Sequence, residues 1–166
     1  MNKPLLTGLS LSLSLFLVQS SVLPFLCNGV AQPDLWLVSI IIASMVFKLD
    51  FVMGLAIVGG FIQDLVTSNF FGLHIFPYIF IAYIFVKYGK ERYNKHWYVS
   101  AMAVTAGSVL YLICETVILY LAGIKMISFL YLFDVGSNFV VYNTACSFLL
   151  HKILWDFKIE KELYRL

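Results

Sequence analysis

The chain has 166 residues and a formal net charge of +2; 61% of its residues are hydrophobic and only 12% are charged. Soluble globular proteins average about 25% charged residues, so this composition, with a mean hydropathy of +0.92, excludes an ordinary soluble domain. The small net charge also argues against a nucleic-acid partner. The composition therefore predicts a chain embedded in a lipid bilayer.

Six apolar segments predict an all-α, polytopic membrane protein with six transmembrane helices. The predicted spans are 5–27, 35–47, 51–66, 70–86, 97–122 and 126–150. The first, fifth and sixth have the ~20 residues needed to cross a ~30 Å hydrocarbon core, and the middle three are shorter. Together they predict one transmembrane domain at 1–155, followed by a short cytoplasmic or interfacial tail at 156–166.

Residues 35–66 are compatible with one long broken helix or with two helices joined by a tight hairpin at Lys48, Leu49 and Asp50. A single helix would place a charge pair near the middle of the bilayer, which is costly. A hairpin places the same pair at the membrane surface. The hairpin is therefore favoured.

Basic and aromatic residues predict the orientation of the spans. With six spans and both termini in the cytoplasm, all 11 basic residues except Lys125 fall on the cytoplasmic side, as the positive-inside rule requires. The rings of Trp36, Trp97, Tyr98 and Trp155 fall at predicted span ends, where aromatic side chains commonly sit at headgroup depth.

The third span carries small residues on one face. Ala56 and Gly60 are four residues apart, Asp64 extends the same face by one turn, and Gly59 and Gln63 flank it. Small residues let helices approach closely, which predicts a helix-packing or partner-binding face. The alternative is that glycine is simply frequent in membrane helices.

Asp64 is the charged residue in this apolar run, and the predicted topology places it at the outer end of the third span. There it can accept hydrogen bonds from free N–H groups of the following turn, where Ser68 and Asn69 are candidate N-caps of the fourth helix, or it can meet His74. Asp64 is therefore predicted to fasten the hairpin between the third and fourth spans.

Two deeper acids lie in the last two spans. In the fifth span, Ser108, Tyr111 and Glu115 share a face by their spacing, and in the sixth span Asp134, Asn138 and Tyr142 do the same. The two stripes are predicted to face each other. They could form a hydrogen-bonded helix seam, an interface for a partner helix, or the lining of a transport cavity.

Catalytic signatures are not found in the sequence. It has no H-E-x-x-H, G-x-S-x-G or P-loop motif, and His74, His96 and His151 have no metal-ligand spacing. We therefore expect no catalytic residue, no metal site and no cofactor.

The run FVMGLAIVGGFIQDLVTSNFFGLHIFPYIFIAYIF at 51–85 resembles the central segment of the rod shape-determining protein MreD family. Members show a glycine-rich helix ending in an acid-Leu pair, a short polar turn, a glycine-containing restart and an apolar helix with a tyrosine near its end. The matching residues here are Gly54, Gly60, Asp64, Leu65, Ser68, Gly72 and Tyr83, with Pro33 ahead of the second span.

This resemblance implies a non-enzymatic scaffold subunit of the bacterial cell-elongation machinery in the inner membrane. Family members bind the transmembrane helix of the scaffold MreC and, through it, connect to MreB, RodA and a class B penicillin-binding transpeptidase of peptidoglycan synthesis. Such a role predicts that Gly60→Leu or Asp64→Lys disrupts co-purification with the partner.

The family's six-helix arrangement is also similar to the substrate-binding subunits of energy-coupling-factor vitamin transporters. This similarity keeps a small-solute-binding subunit as the alternative function. In that case Glu115, Asp134 and Asn138 would hold the solute.

Overall fold

The computed structural model describes residues 13–26, 31–67, 71–89, 96–123 and 129–163, and within these ranges it has six helices and no strand. The helices are α1 at 13–26, α2 at Leu35–Val46, α3 at Leu49–Thr67, α4 at Ile75–Gly89, α5 at Trp97–Leu121 and α6 at Phe129–Leu163. Each helix corresponds to one predicted segment. The fourth begins at Ile75 instead of 70, and the sixth continues without a break through most of the predicted tail. Residues 5–12 of the first predicted span, Ser68 and Lys125 lie outside the described residues.

Helix α1 widens in its middle. Val18–Val22 form a π-helical turn in which the Leu23 N–H donates to the Val18 carbonyl oxygen. Pro24 follows directly and has no amide hydrogen for a carbonyl one turn earlier, so a widened turn relieves the clash that its ring would cause in a regular helix. Gln19 lies in this turn.

Helix α2 is the centre of the bundle. All of its residues are buried, and it packs against α3, α4, α5 and α6. Its 12 residues rise only about 18 Å, much less than the ~30 Å of a hydrocarbon core. The polar backbone groups at the start of α2 must therefore find partners inside the protein.

The predicted hairpin between the second and third helices is present. Helix α2 ends at Val46, Phe47 adopts an extended conformation with φ −107° and ψ 174°, and α3 begins at Leu49. Lys48 and Asp50 therefore lie in or beside the connection, as the cost of a mid-membrane charge pair predicts.

The Trp36 ring does not lie on the outer surface of the bundle, where a ring in contact with headgroups would lie. Its side chain is 0% exposed, whereas those of Trp97 and Tyr98 are 57% and 48% exposed. Because α2 is short and central, its first turn lies in the core, where the Trp36 ring packs against Gly59 of α3.

Among the residues that the structure describes, two helices are long and apolar enough to cross a bilayer by length and composition, Leu49–Val66 within α3 and the whole of α5. Their outward surfaces carry large apolar side chains, among them Ile57, Phe61, Met102, Val109 and Ile113. Apolar side chains on the outside of a helical bundle are the pattern that a lipid environment stabilises.

Candidate functional site

The start of α2 is built around Asp34. Its carboxylate accepts a hydrogen bond from the Leu37 N–H at 3.0 Å and another from the Tyr78 hydroxyl of α4. The first bond satisfies one of the N–H groups that have no partner within the helix. Asp34 lies just before the predicted span 35–47. Burial raises the pKa of its carboxyl above the usual range, and the hydrogen bonds from Tyr78 and Leu37 oppose this shift.

Gln19 ties α1 to the same point. Its Nε2 donates to the Pro33 carbonyl oxygen at 3.1 Å, and its Oε1 accepts from the Leu35 N–H at 2.9 Å. One side chain therefore satisfies a backbone acceptor and a backbone donor on either side of Asp34. The sequence identifies Gln19 as a polar residue within an apolar span, but a lone amide does not reveal its partner.

Asn143 ties α5 and α6 to the start of α2. Its Oδ1 accepts from the Asp34 N–H at 2.7 Å, and its Nδ2 donates to Ser108 Oγ at 3.0 Å. Asn143 and Ser108 are both fully buried. We call the group that joins five helices at this point the polar hub; its members are Gln19, Asp34, Tyr78, Ser108 and Asn143.

We expect Asn143→Leu to destabilise the protein, whereas Asn138→Leu on the exposed side of the same helix has little effect. Leucine at 143 leaves the Asp34 N–H and the Ser108 hydroxyl buried without partners, which costs about 1–3 kcal/mol per group. Thermal unfolding of both variants in the same detergent measures the difference. Equal melting temperatures for the two variants would contradict the role of the hub.

Asp64 is 1% exposed and joins α3 to α4. It accepts hydrogen bonds from the Gly72 N–H at 2.7 Å and the His74 N–H at 2.8 Å, and its Oδ1 lies 2.8 Å from His74 Nδ1. Both kinds of partner expected from the sequence are therefore present. Gly72 has φ +102°, a conformation that favours glycine. We call Asp64, Gly72 and His74 the hairpin clasp.

The small residues of α3 pack inside the chain. A Cβ on Gly60 would lie 2.6 Å from Ile75 Cα, and one on Gly59 would lie 2.5 Å from the Trp36 ring. Ala56 is 0% exposed. This face is therefore covered by α2 and α4, and the structure presents it as a helix-packing surface within the chain.

The prediction that two polar stripes face each other is correct for α5 and wrong for α6. In α5, Ser108 and Tyr111 are buried and Glu115 is partly buried, as a seam requires, but Asp134 and Asn138 lie on the exposed side of α6. Asp134 and Asn138 share one side of α6 because they are one helical turn apart, but that side points away from the bundle. The prediction therefore chose the wrong side of α6.

The side of α6 that meets the bundle carries Asn143, Ser147 and His151, spaced four residues apart. His151 Nδ1 lies 2.8 Å from Ser100 Oγ of α5, and the Thr105 and Thr144 hydroxyl oxygens are 2.9 Å apart. The regular spacing of these polar residues was the signal in the sequence that could have identified the correct side.

Between the hub and the clasp lies a cavity of about 250 Å³. Its polar lining comes from seven side chains, those of Gln19, Gln32, Asp34, Gln63, His74, Tyr111 and Glu115. Leu112, Val135 and Phe139 contribute apolar wall. Lysine and arginine do not occur among the residues that line it, and no group of three metal-ligating side chains is found in the described ranges.

A second, apolar depression of about 620 Å³ lies on the surface formed by α4 and α5, where Phe80, Tyr83, Ile113 and Val117 contribute to its wall. Its lining is almost free of polar atoms. A surface of this kind suits an acyl chain as well as an apolar side chain, so it does not specify a partner.

The exposed side of α6 differs from that of α5. It carries Asp134, Ser137, Asn138 and Tyr142, which we call the α6 polar face. Ser137 Oγ donates to the Asp134 carbonyl oxygen at 3.0 Å. Val135, next to Asp134, lines the same cavity as Glu115, so the two acids lie at a similar level along the bundle.

Comparison with known families gives one match. The model of the family described as rod shape-determining protein MreD matches residues 1–161 of the 166-residue chain. No curated protein and no solved structure gave a significant match. The resemblance seen in 51–85 is thus confirmed and extends over almost the whole chain, and the family together with two apolar helices of spanning length fits a membrane protein. The chain belongs to the rod shape-determining protein MreD family.

Proposed function

We propose that this chain is a multi-pass, non-enzymatic scaffold of the bacterial inner membrane that holds the transmembrane helix of MreC against the α6 polar face. The family match supports a role in rod-shape determination. Through MreC the chain would connect to MreB, RodA and a class B penicillin-binding transpeptidase, and so support peptidoglycan synthesis. The exposure of the α6 polar face is the observation that carries the docking step.

Docking is favoured by the cost of polar side chains in lipid. An aspartate that faces lipid costs up to about 2.5–3.5 kcal/mol at the centre of a transmembrane helix and less near its ends, and side chains of this kind normally face protein or water. Asp134 lies less than two turns from the start of α6. Asp134 and Asn138 are exposed in the structure, on a helix whose other side is fully engaged with α2 and α5. A second helix laid along this side would replace lipid by hydrogen-bonding and packing partners.

The exposed side of α5 offers no comparable reason for a partner. Met102, Val109, Ile113 and Val117 present an apolar surface there, which lipid covers at no cost. The small-residue face of α3 is also unsuitable, because its glycines already meet α2 and α4. Loss of partner capture by Gly60→Leu or Asp64→Lys would therefore report a damaged hairpin and would not identify the docking face.

We expect the double variant Asp134→Leu, Asn138→Leu to lose MreC while keeping its fold. Two leucines remove the polar groups that the partner helix would satisfy. Interhelical hydrogen bonds in membranes contribute about 0.6 kcal/mol each on average, so the loss of two should weaken binding by about eightfold. The measurement is the amount of MreC that co-purifies with the tagged chain from detergent-solubilised membranes.

Ala106→Leu is the matched control, because it adds a leucine to the exposed side of α5. It should recover MreC at the wild-type level. Melting temperatures of all three proteins show whether each is folded. Wild-type recovery of MreC by a folded double variant would overturn the docking proposal.

We do not extend the proposal to a vitamin-binding transporter subunit. The cavity of about 250 Å³ is smaller than the roughly 300–1,000 Å³ typical of sites for drug-sized ligands. Depletion of the chain separates the two functions, since rounded cells support the scaffold and rescue by an added vitamin supports the transporter.

A further inference from the structure

We propose that the cavity between the polar hub and the hairpin clasp binds a small organic cation, an alkylammonium or alkylguanidinium group, through Glu115 and Tyr111. This site is separate from the α6 polar face, because Asp134 and Asn138 do not line the cavity. Cation binding in this cavity therefore does not depend on MreC docking.

The first reason is the balance of charge around the cavity. Asp34 and Glu115 both line it, and Asp64 lies just behind His74. Asp34 is satisfied by Tyr78 and Leu37, and Asp64 by the two N–H groups and the ring of the clasp. Glu115, by contrast, makes no hydrogen bond with any residue in the described part of the chain. A partly buried carboxylate that has no hydrogen-bond partner in the protein is stabilised by a positive partner.

The second reason is Tyr111. It is only 3% exposed, it lines the cavity, and its hydroxyl makes no hydrogen bond with any other residue that the structure describes. A buried tyrosine hydroxyl usually has a partner. Tyr111 and Glu115 are one helical turn apart on α5, so both can reach one group inside the cavity.

The third reason is the type of group that the lining can recognise. The Glu115 carboxylate and the Gln32 amide oxygen in the lining are hydrogen-bond acceptors, which favours a ligand with several N–H donors. The Tyr111 and Phe139 rings lie 5.7 Å apart, centroid to centroid, and aromatic faces attract cations. The volume suits one head group with a short alkyl chain.

The test uses the purified full-length chain in nanodiscs, with n-butylguanidinium as the probe and n-butylurea as its neutral counterpart of similar shape. Calorimetric titration should give saturable binding of the guanidinium and binding of the urea that is weaker by about tenfold or more. Equal affinity for the two probes, or no binding of the guanidinium, would overturn the proposal.

Two variants locate the site. Glu115→Gln should weaken guanidinium binding by about tenfold, since it removes the charge and keeps the shape, and Tyr111→Phe should weaken it severalfold, because it removes only the hydroxyl. Asp50→Asn makes the same acid-to-amide change at the exposed start of α3, at the far end of that helix from the clasp, and should bind like the wild type. If Glu115→Gln does not fold, Tyr111→Phe decides, and unchanged binding by that folded variant would overturn the assignment.

The same chemistry could come from a free amine or from a lysine or arginine side chain of another protein. A photoreactive residue at Leu112, which lines the cavity, distinguishes the two sources in cells. A crosslinked polypeptide that carries a lysine or arginine at the crosslinked position indicates that the cation is a side chain of another protein. Native mass spectrometry that finds a bound small amine indicates a free cation. Either outcome supports the proposal, and a neutral or anionic occupant contradicts it.

Discussion

Asp64→Asn should lower the free energy of unfolding by about 3–5 kcal/mol, because it breaks a buried charge-assisted network. Both carboxylate oxygens of Asp64 are used, Oδ2 by the Gly72 N–H and Oδ1 by the N–H and ring of His74. Asparagine has one acceptor oxygen, so at least one N–H donor must face its amide nitrogen, which cannot accept a hydrogen bond. The turn that begins α4 would then lose its attachment to α3.

Denaturant titration of the purified protein in mixed micelles measures this loss. Asp50→Asn is the matched control, because Asp50 is exposed in the first turn of α3, and surface changes of this kind usually stay within about 0.5 kcal/mol. If Asp64→Asn is as stable as the Asp50→Asn control, the clasp contributes little to the stability of the fold.

Gly60→Ala and Gly54→Ala should have effects of opposite sign, although both change glycine to alanine in the same helix. A Cβ at Gly60 would lie 2.6 Å from the Cα and 2.9 Å from the backbone nitrogen of Ile75, so α3 and α4 would have to separate. Overpacking of this type costs about 1–3 kcal/mol. At Gly54 a Cβ meets nothing within 4 Å, and alanine favours a helix by about 0.5–1 kcal/mol relative to glycine.

Relative to the wild type, thermal unfolding should therefore show a lower melting temperature for Gly60→Ala and a higher one for Gly54→Ala. A tolerated alanine at position 60 would mean that α3 and α4 are not in close contact there. The pair also separates packing from helix propensity, since the intrinsic preference is the same at both positions.

The sequence predicted the parts of the structure that depend on local signals. The six helices follow from runs of apolar residues, and the hairpin at Lys48 follows from the cost of charge in lipid. The partners of Asp64 are eight and ten residues away, so its position beside a turn was enough to suggest them.

The polar hub depends on contacts between distant residues. Asn143 meets the Asp34 N–H across 109 positions and Tyr78 meets the Asp34 carboxylate across 44, and no local pattern specifies either pair. The central position of the short α2 is also a tertiary property, which is why Trp36 was expected at the membrane surface and is buried. Packing of Asn143 against the bundle determines which side of α6 is buried. The sequence predicted the buried side from Asp134, which lies on the exposed side.

The proposal that a partner helix covers the α6 polar face is tested most directly by photocrosslinking in cells. A photoreactive residue at Ser137 or Val141, both exposed on this side of α6, should crosslink to MreC, and one at Val109 on the exposed side of α5 should not. Crosslinks to MreC from position 109 alone, or crosslinks from 137 and 141 only to residues of the same chain, would contradict the account.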